Sequence, residues 1–215
     1  QRKGPQTLEE IAALSQADEK GKCKNMMIAA PLRLHDCSLV SDGAAAVVLT
    51  ATANVGSRKA RAVEVAGIGH SVERMPINVR ANMHELMGGK DAVAKAYAEA
   101  GIKASDVDFA EVHDCFTINQ VISTEALGFS ADGRAGYDYM EGRFTRDDKQ
   151  AVNLSGGLKS KGHPVGATGA SMLALAYKQI IGEAIGVKAK KADIGVAFNV
   201  GGSAVTNCVT VLKKL

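Results

Sequence analysis

The sequence predicts an α/β fold built on a mixed sheet. Three observations carry that reading. Strand-like segments alternate with helical ones from Arg61 to Ile181, the chain closes on two strands joined by Val200-Gly201-Gly202-Ser203, and glycine is in excess at 23 of 215 residues. Alternation argues for crossover helices and parallel pairing, and a terminal hairpin adds an antiparallel pair. The glycines argue for backbone that turns tightly or approaches a ligand closely. With 46% hydrophobic and 23% charged residues, the composition excludes disorder and low complexity. A net charge of +3 without a basic, aromatic-studded run is no nucleic-acid signature, and no apolar stretch has the length of a membrane span.

In chain order, Thr7 and Glu10 make a capping box for a helix over Leu8 to Lys20, with Leu8, Ile11 and Leu14 at helical spacing. Met26 to Ala30 reads as a short strand stopped by Pro31. Gly43 to Thr50 is apolar without alternation, as a strand buried on both faces would be. Asn54 to Lys59 reads as a linker, and Arg61 to Ile68 as a strand with Val63, Val65 and Gly67 on one face. A helix over Asp91 to Ala100 stops at Gly101. Val107 to Val112 is a strand, Thr117 to Leu127 a helix, and Gly128 to Asp148 a long loop. Val152 to Leu154 is a short strand and Ser171 to Ile181 a helix of small residues that suits burial. Ile194 to Asn199 and Ala204 to Leu212 are the closing strands, with Cys208 read as core.

Three segments fall just beyond strand ends, where α/β proteins place their sites. His113-Asp114-Cys115-Phe116 precedes a helix, whose dipole is expected to lower the Cys115 pKa toward thiolate. Asn153 to Gly169 holds five glycines around His163-Pro164. Asn199-Val200-Gly201-Gly202 offers backbone N–H groups to an oxyanion. Singly, each has a plainer reading: a buried thiol, a packed loop histidine, a hairpin turn. Together they point to thiol-dependent acyl chemistry. A zinc reading uses His113, Cys115 and His163, but the spacing is unfamiliar and a fourth ligand is lacking, so no metal is expected. The four cysteines have no C-x-x-C pair and suit neither a disulfide framework nor a zinc ribbon. His35-Asp36-Cys37 repeats the later tripeptide, but no helix follows it and it is taken as a chance echo.

Taken together, these segments resemble the thiolase family, and within it the sterol-carrier-protein-2 type. Gly162-His163-Pro164 matches the family's G-H-P loop. His113-Asp114-Cys115-Phe116 stands where most members carry N-E-A-F, and Asn199-Val200-Gly201 where they carry C-x-G. The two departures compensate, since the cysteine of H-D-C-F replaces the one missing from C-x-G. Ser41 to Leu49 is similar to the segment that closes the family's N-terminal domain. The resemblance implies the C-terminal half of a thiolase fold, with a mixed sheet and a buried central helix, plus the end of the N-terminal half. Residues 1–59 would be the remnant of the N-terminal domain and 60–215 the C-terminal domain.

The implied activity is acyl transfer between coenzyme A thioesters, by thiolytic cleavage or Claisen condensation. Cys115 would serve as acid and base. His163 would activate the nucleophile and, with His113, donate to the thioester oxygen, while Gly201 N–H would serve a second oxyanion hole. Ser38 would lie near the pantetheine arm and Gly162 in the coenzyme A-binding loop. Coenzyme A enters as co-substrate, with no bound cofactor. The family nucleophile is a cysteine in a C-x-S loop, and none of Cys23, Cys37, Cys115 or Cys208 has that context. The expected partners are therefore acyl-CoA, the missing N-terminal half and, by family habit, further copies of the chain. The start at Gln1, with neither Met nor a signal pattern, suits a processed end or a fragment. Two other readings remain open: an inert acyl-CoA- or lipid-binding protein, and a hydrolase using Cys115 with His163. Unpaired cysteines suit a reducing compartment, and Lys213-Lys214-Leu215 only echoes the S-K-L address, so peroxisome, mitochondrion and cytoplasm are not separated.

Overall fold

A computed structural model describes residues 7–215. A short α1 (Leu8–Leu14) opens it, capped as expected by Thr7 and Glu10 but ending after seven residues. A two-stranded ribbon follows, β1 (Met27–Ala29) with β2 (Leu32–Arg33). The main sheet comprises β3 (Val63–Val72), β4 (Phe109–Val112), β5 (Ala151–Val152), β6 (Ile194–Gly201) and β7 (Thr206–Lys214) in the order β3-β7-β6-β4-β5. β5, β4 and β6 are parallel, whereas β6–β7 and β7–β3 are antiparallel. The mixed α/β sheet expected from the alternation is thus present.

Helices cover both faces. α2 (Met87–Ala100) and α3 (Thr117–Ala126) lie on one, and α6 (Thr168–Ile180) on the other. Strand alternation explains the division. Val196 and Phe198 of β6 and Val209 and Val211 of β7 join the α2–α3 core, while Phe109 and Leu212 join the α6 core. Phe109 and Phe198 are fully buried in opposite faces, each contributing about 1.5–3 kcal/mol.

α2 sits directly on the backbone of β3. A Cβ on Gly67 would lie 2.3 Å from Ala96 O, and one on Gly69 would lie 1.8 Å from Ala92 O. A bulge between Val65 and Gly67 shifts the strand's phase. Val65 is consequently exposed, contrary to the simple alternation, and Gly67 and Gly69 face the helix. Gly101 ends α2 in the left-handed conformation, as expected.

Several expectations are corrected. Residues 43–50 form no strand and are largely exposed, because no strand among the described residues pairs with them. The supposed loop at 128–148 contains α4 (Ala135–Met140), whose buried Asp138 is held by Ser130, Arg134 and Arg143. The linker at 54–59 is wound into 3₁₀ turns. Helix α6 is buried on one face only, through Thr168, Met172, Ala176, Gln179 and Ile180. Cys208 is exposed, since β7 alternates and its neighbours Asn207 and Val209 take the buried face. Among the described residues no helix is long and apolar enough to cross a membrane.

Candidate active site

The three parallel strands end on the same edge, and each releases one of the singled-out segments there. His113 extends β4 by one ladder bond, its N–H donating to Phe198 O at 3.0 Å. Its ring meets that of His163 edge-on, centroids 4.9 Å apart and planes at 87°. The two histidines, 50 positions apart in sequence, are thus brought together.

Each imidazole is oriented by a hydroxyl or amide. His163 Nδ1 lies 2.7 Å from Thr168 Oγ1, and that hydroxyl donates its own proton to Pro164 O. Thr168 therefore accepts from His163 Nδ1–H, which leaves a lone pair on Nε2. His113 Nδ1 lies 2.7 Å from Asn199 Oδ1. With the amide carbonyl facing it, this ring also carries its proton on Nδ1 and its lone pair on Nε2. Burial lowers the pKa of both rings and nearby Lys161 lowers both further, so both are neutral at pH 7.

The loop bearing His163 is fixed from two sides. Ser41 Oγ accepts from His163 N at 2.7 Å, and Gly162, at φ +98°, approaches so closely that a Cβ would lie 2.7 Å from that oxygen. α5 (Gly157–Lys161), a single turn, ties the same loop to the other: Leu158 N donates to Asp114 Oδ1 at 2.7 Å. Gly157, at φ +62°, is required there, since a Cβ would sit 2.1 Å from Asp114 Oδ2.

Cys115 follows Asp114 and reverses one expectation. Its pKa is raised: burial dominates and the Asp114 carboxylate adds to it, outweighing the backbone N–H groups at the start of α3. The group is therefore held as a thiol. Ser38 N donates to Cys115 O at 2.8 Å, which brings Ser38 to the site. The His35-Asp36-Cys37 echo is not remote either: Cys37 bridges Phe116, and Asp36 Oδ1 accepts from Thr117 Oγ1 at 2.8 Å. Gly201 ends β6 two residues beyond Asn199, opposite Thr206, with open space where a side chain would be.

Beneath the imidazoles lies Glu111, 3% exposed, which accepts from Ser155 N and Ser155 Oγ at 3.2 and 2.6 Å. Burial pushes its pKa up to about 7. Sequence reading missed Glu111, Ser41, Thr168 and Asn199 as individual contributors. A polar residue at an inward strand position was the one available signal, and only Glu111 and Asn199 gave it. Among the described residues no three His, Cys, Asp or Glu side chains converge to hold a metal ion.

Comparison with known proteins places this arrangement in context. Residues 69–214 match the family described as thiolase C-terminal domain-like. An acetyl-CoA acetyltransferase of Methanothermobacter thermautotrophicus is 36% identical over 87% of this chain and 49% of its own length. Sterol carrier protein 2 of Bos taurus is 36% identical over 85% of this chain and 34% of its own length. The solved structure titled Ltp2-ChsH2(DUF35) aldolase superposes with a TM-score of 0.72 at 18% identity, covering 88% of this chain and 49% of that one. The chain spans about half the length of the acetyltransferase it matches.

Proposed function

The chain belongs to the thiolase family, and from that premise we propose that it is the C-terminal catalytic unit of an acyl-CoA acyltransferase. Residues 60–215 would form that unit and residues 1–59 the end of the preceding one. The observation that carries the reading is Cys115, kept protonated at the edge where two neutral imidazoles meet.

Thiolytic cleavage makes specific demands on such groups. A nucleophilic thiol, supplied from outside the residues described, loses its proton to His163 Nε2 and attacks the 3-keto carbon of a 3-oxoacyl-CoA. The C2–C3 bond breaks, and the departing enolate takes the proton of Cys115 at C2. Coenzyme A then gives its thiol proton to the Cys115 thiolate and attacks the acyl-enzyme, releasing acyl-CoA and restoring both groups. A thiol with a raised pKa suits the donor step, and the lone pair on His163 suits the first. Donation from Nε2 of either imidazole to a thioester oxygen follows only after that ring has gained a proton. Gly201, Gly162 and Ser38 are assigned here to the oxyanion, the coenzyme A loop and the pantetheine arm. Homo-oligomerisation belongs to the same reading.

The hydrolase alternative needs Cys115 as a thiolate, which its surroundings oppose. An inert acyl-CoA-binding protein is separated by turnover. The intact protein is expected to consume 3-oxoacyl-CoA when given coenzyme A. Cys115→Ala should cut that rate by roughly 10²–10⁴ while still releasing coenzyme A on acylation. Tight coenzyme A binding by the wild type without any turnover would overturn the assignment.

A further inference from the structure

Lys161 has no part in the reaction described so far, yet its place is unusual. It ends α5, two residues ahead of His163, and is half buried, with Nζ donating to Ser171 Oγ at 3.2 Å. Burying an ammonium costs free energy that one hydroxyl does not return. Two carboxylates from the end of β4, Glu111 and Asp114, are close enough to act on it, and each is occupied by donors from the neighbouring loop. The same ammonium acts on both imidazoles.

The titratable groups facing the cluster can be named element by element. β4 and its loop contribute Glu111, His113, Asp114 and Cys115, the last backed by Cys37. The α5 loop contributes Lys161 and His163. α6 and β6 present neutral Thr168, Ser171 and Asn199. Lys161 is thus the one cation in the set.

We propose that Lys161 is a positioning residue of this site, its ammonium denying a proton to His113 and His163 so that each imidazole keeps its lone pair on Nε2. The use of those lone pairs rests on the thiolase reading; the electrostatic effect does not. Lys161 exchanges no proton with substrate. It sets the protonation state from which the two rings begin, while Glu111 and Asp114 keep its charge tolerable inside the protein.

The test is an imidazole titration by NMR on the intact protein, with the two rings assigned through His113→Gln and His163→Gln. In Lys161→Met both midpoints should move upward, and the acid limb of the kcat/KM profile should move with them, with roughly tenfold loss of rate at pH 7. Lys161→Arg should restore both. Glu111→Gln disturbs the same cluster without removing the positive charge, so it should not raise the midpoints. Should Lys161→Met fail to fold, Lys161→Gln repeats the measurement with a side chain able to hydrogen-bond. Unmoved or lowered midpoints in the folded neutral variant would overturn the proposal, as would an equal rise in Glu111→Gln. Rising midpoints in a protein whose wild type shows no turnover would support the role of Lys161 and overturn the reaction instead.

Discussion

Glu111 and the imidazoles above it respond to pH in opposite senses, and the signs can be worked out residue by residue. The Glu111 carboxyl titrates at 4.5 when unperturbed and near 7 in the fold. Between those values the folded protein holds a proton that the unfolded chain has released, so stability falls as pH rises through the window. Once the group is charged the cost is about 3 kcal/mol. The imidazole pKa values are lowered, so their contribution is present above the unfolded value and lost as pH falls. Glu111→Gln keeps an acceptor for Ser155 N and removes the first effect. Urea unfolding from about pH 5 to about pH 8 should show the mutant gaining up to a few kcal/mol at the alkaline end, with only the rising, histidine-governed profile left. At this scale the reacting groups were legible, because His113, Cys115 and His163 stand at strand ends beside glycines. Their partners were not. Asn199 is 86 positions from His113, and Ser41 is 122 from His163, so only the fold makes them neighbours.

Contact between α2 and β3 shows how elements fix one another. Two glycines remove the side-chain layer and let a helix rest on strand backbone, which leaves no slack for a methyl group. Gly69→Ala should cost more than about 3 kcal/mol or prevent folding, because its Cβ would sit 1.8 Å from a carbonyl oxygen that the α2 helix cannot move. Gly166→Ala has open space and is expected to stay within about 0.5 kcal/mol. Thermal unfolding of the two variants side by side checks both statements. Elements with their own punctuation were readable: Thr7 and Glu10 start one helix, and Gly101 stops another. Those that depend on something distant were not. Residues 43–50 have the composition of a buried strand but lack a pairing partner, while α4 owes its turn to ion pairs around Asp138 rather than to an apolar period.

For the molecule as a whole, the exposed surface is the informative part. Val40 and Val48 are 87% and 93% exposed, Leu39 and Leu49 lie beside them, and the outer face of α6 is only half covered. So much apolar surface on one protein is the mark of contacts made with something else. Expressed alone, residues 7–215 should associate in a concentration-dependent way in sedimentation. Charged substitutions at Val48 and Leu49 should reduce that association without lowering the unfolding temperature. The mixed sheet was legible in the order of segments, and the incompleteness in the absence of a nucleophilic C-x-S; what covers these residues was not, because no part of the described chain touches them. One contact ties this surface to the chemistry. Ser41 lies in the same extended stretch as Val40 and Val48, and its hydroxyl holds the amide of His163. The hand that steadies the imidazole therefore belongs to a segment that is itself steadied from outside, so the site is sprung or set according to whether that stretch is clasped.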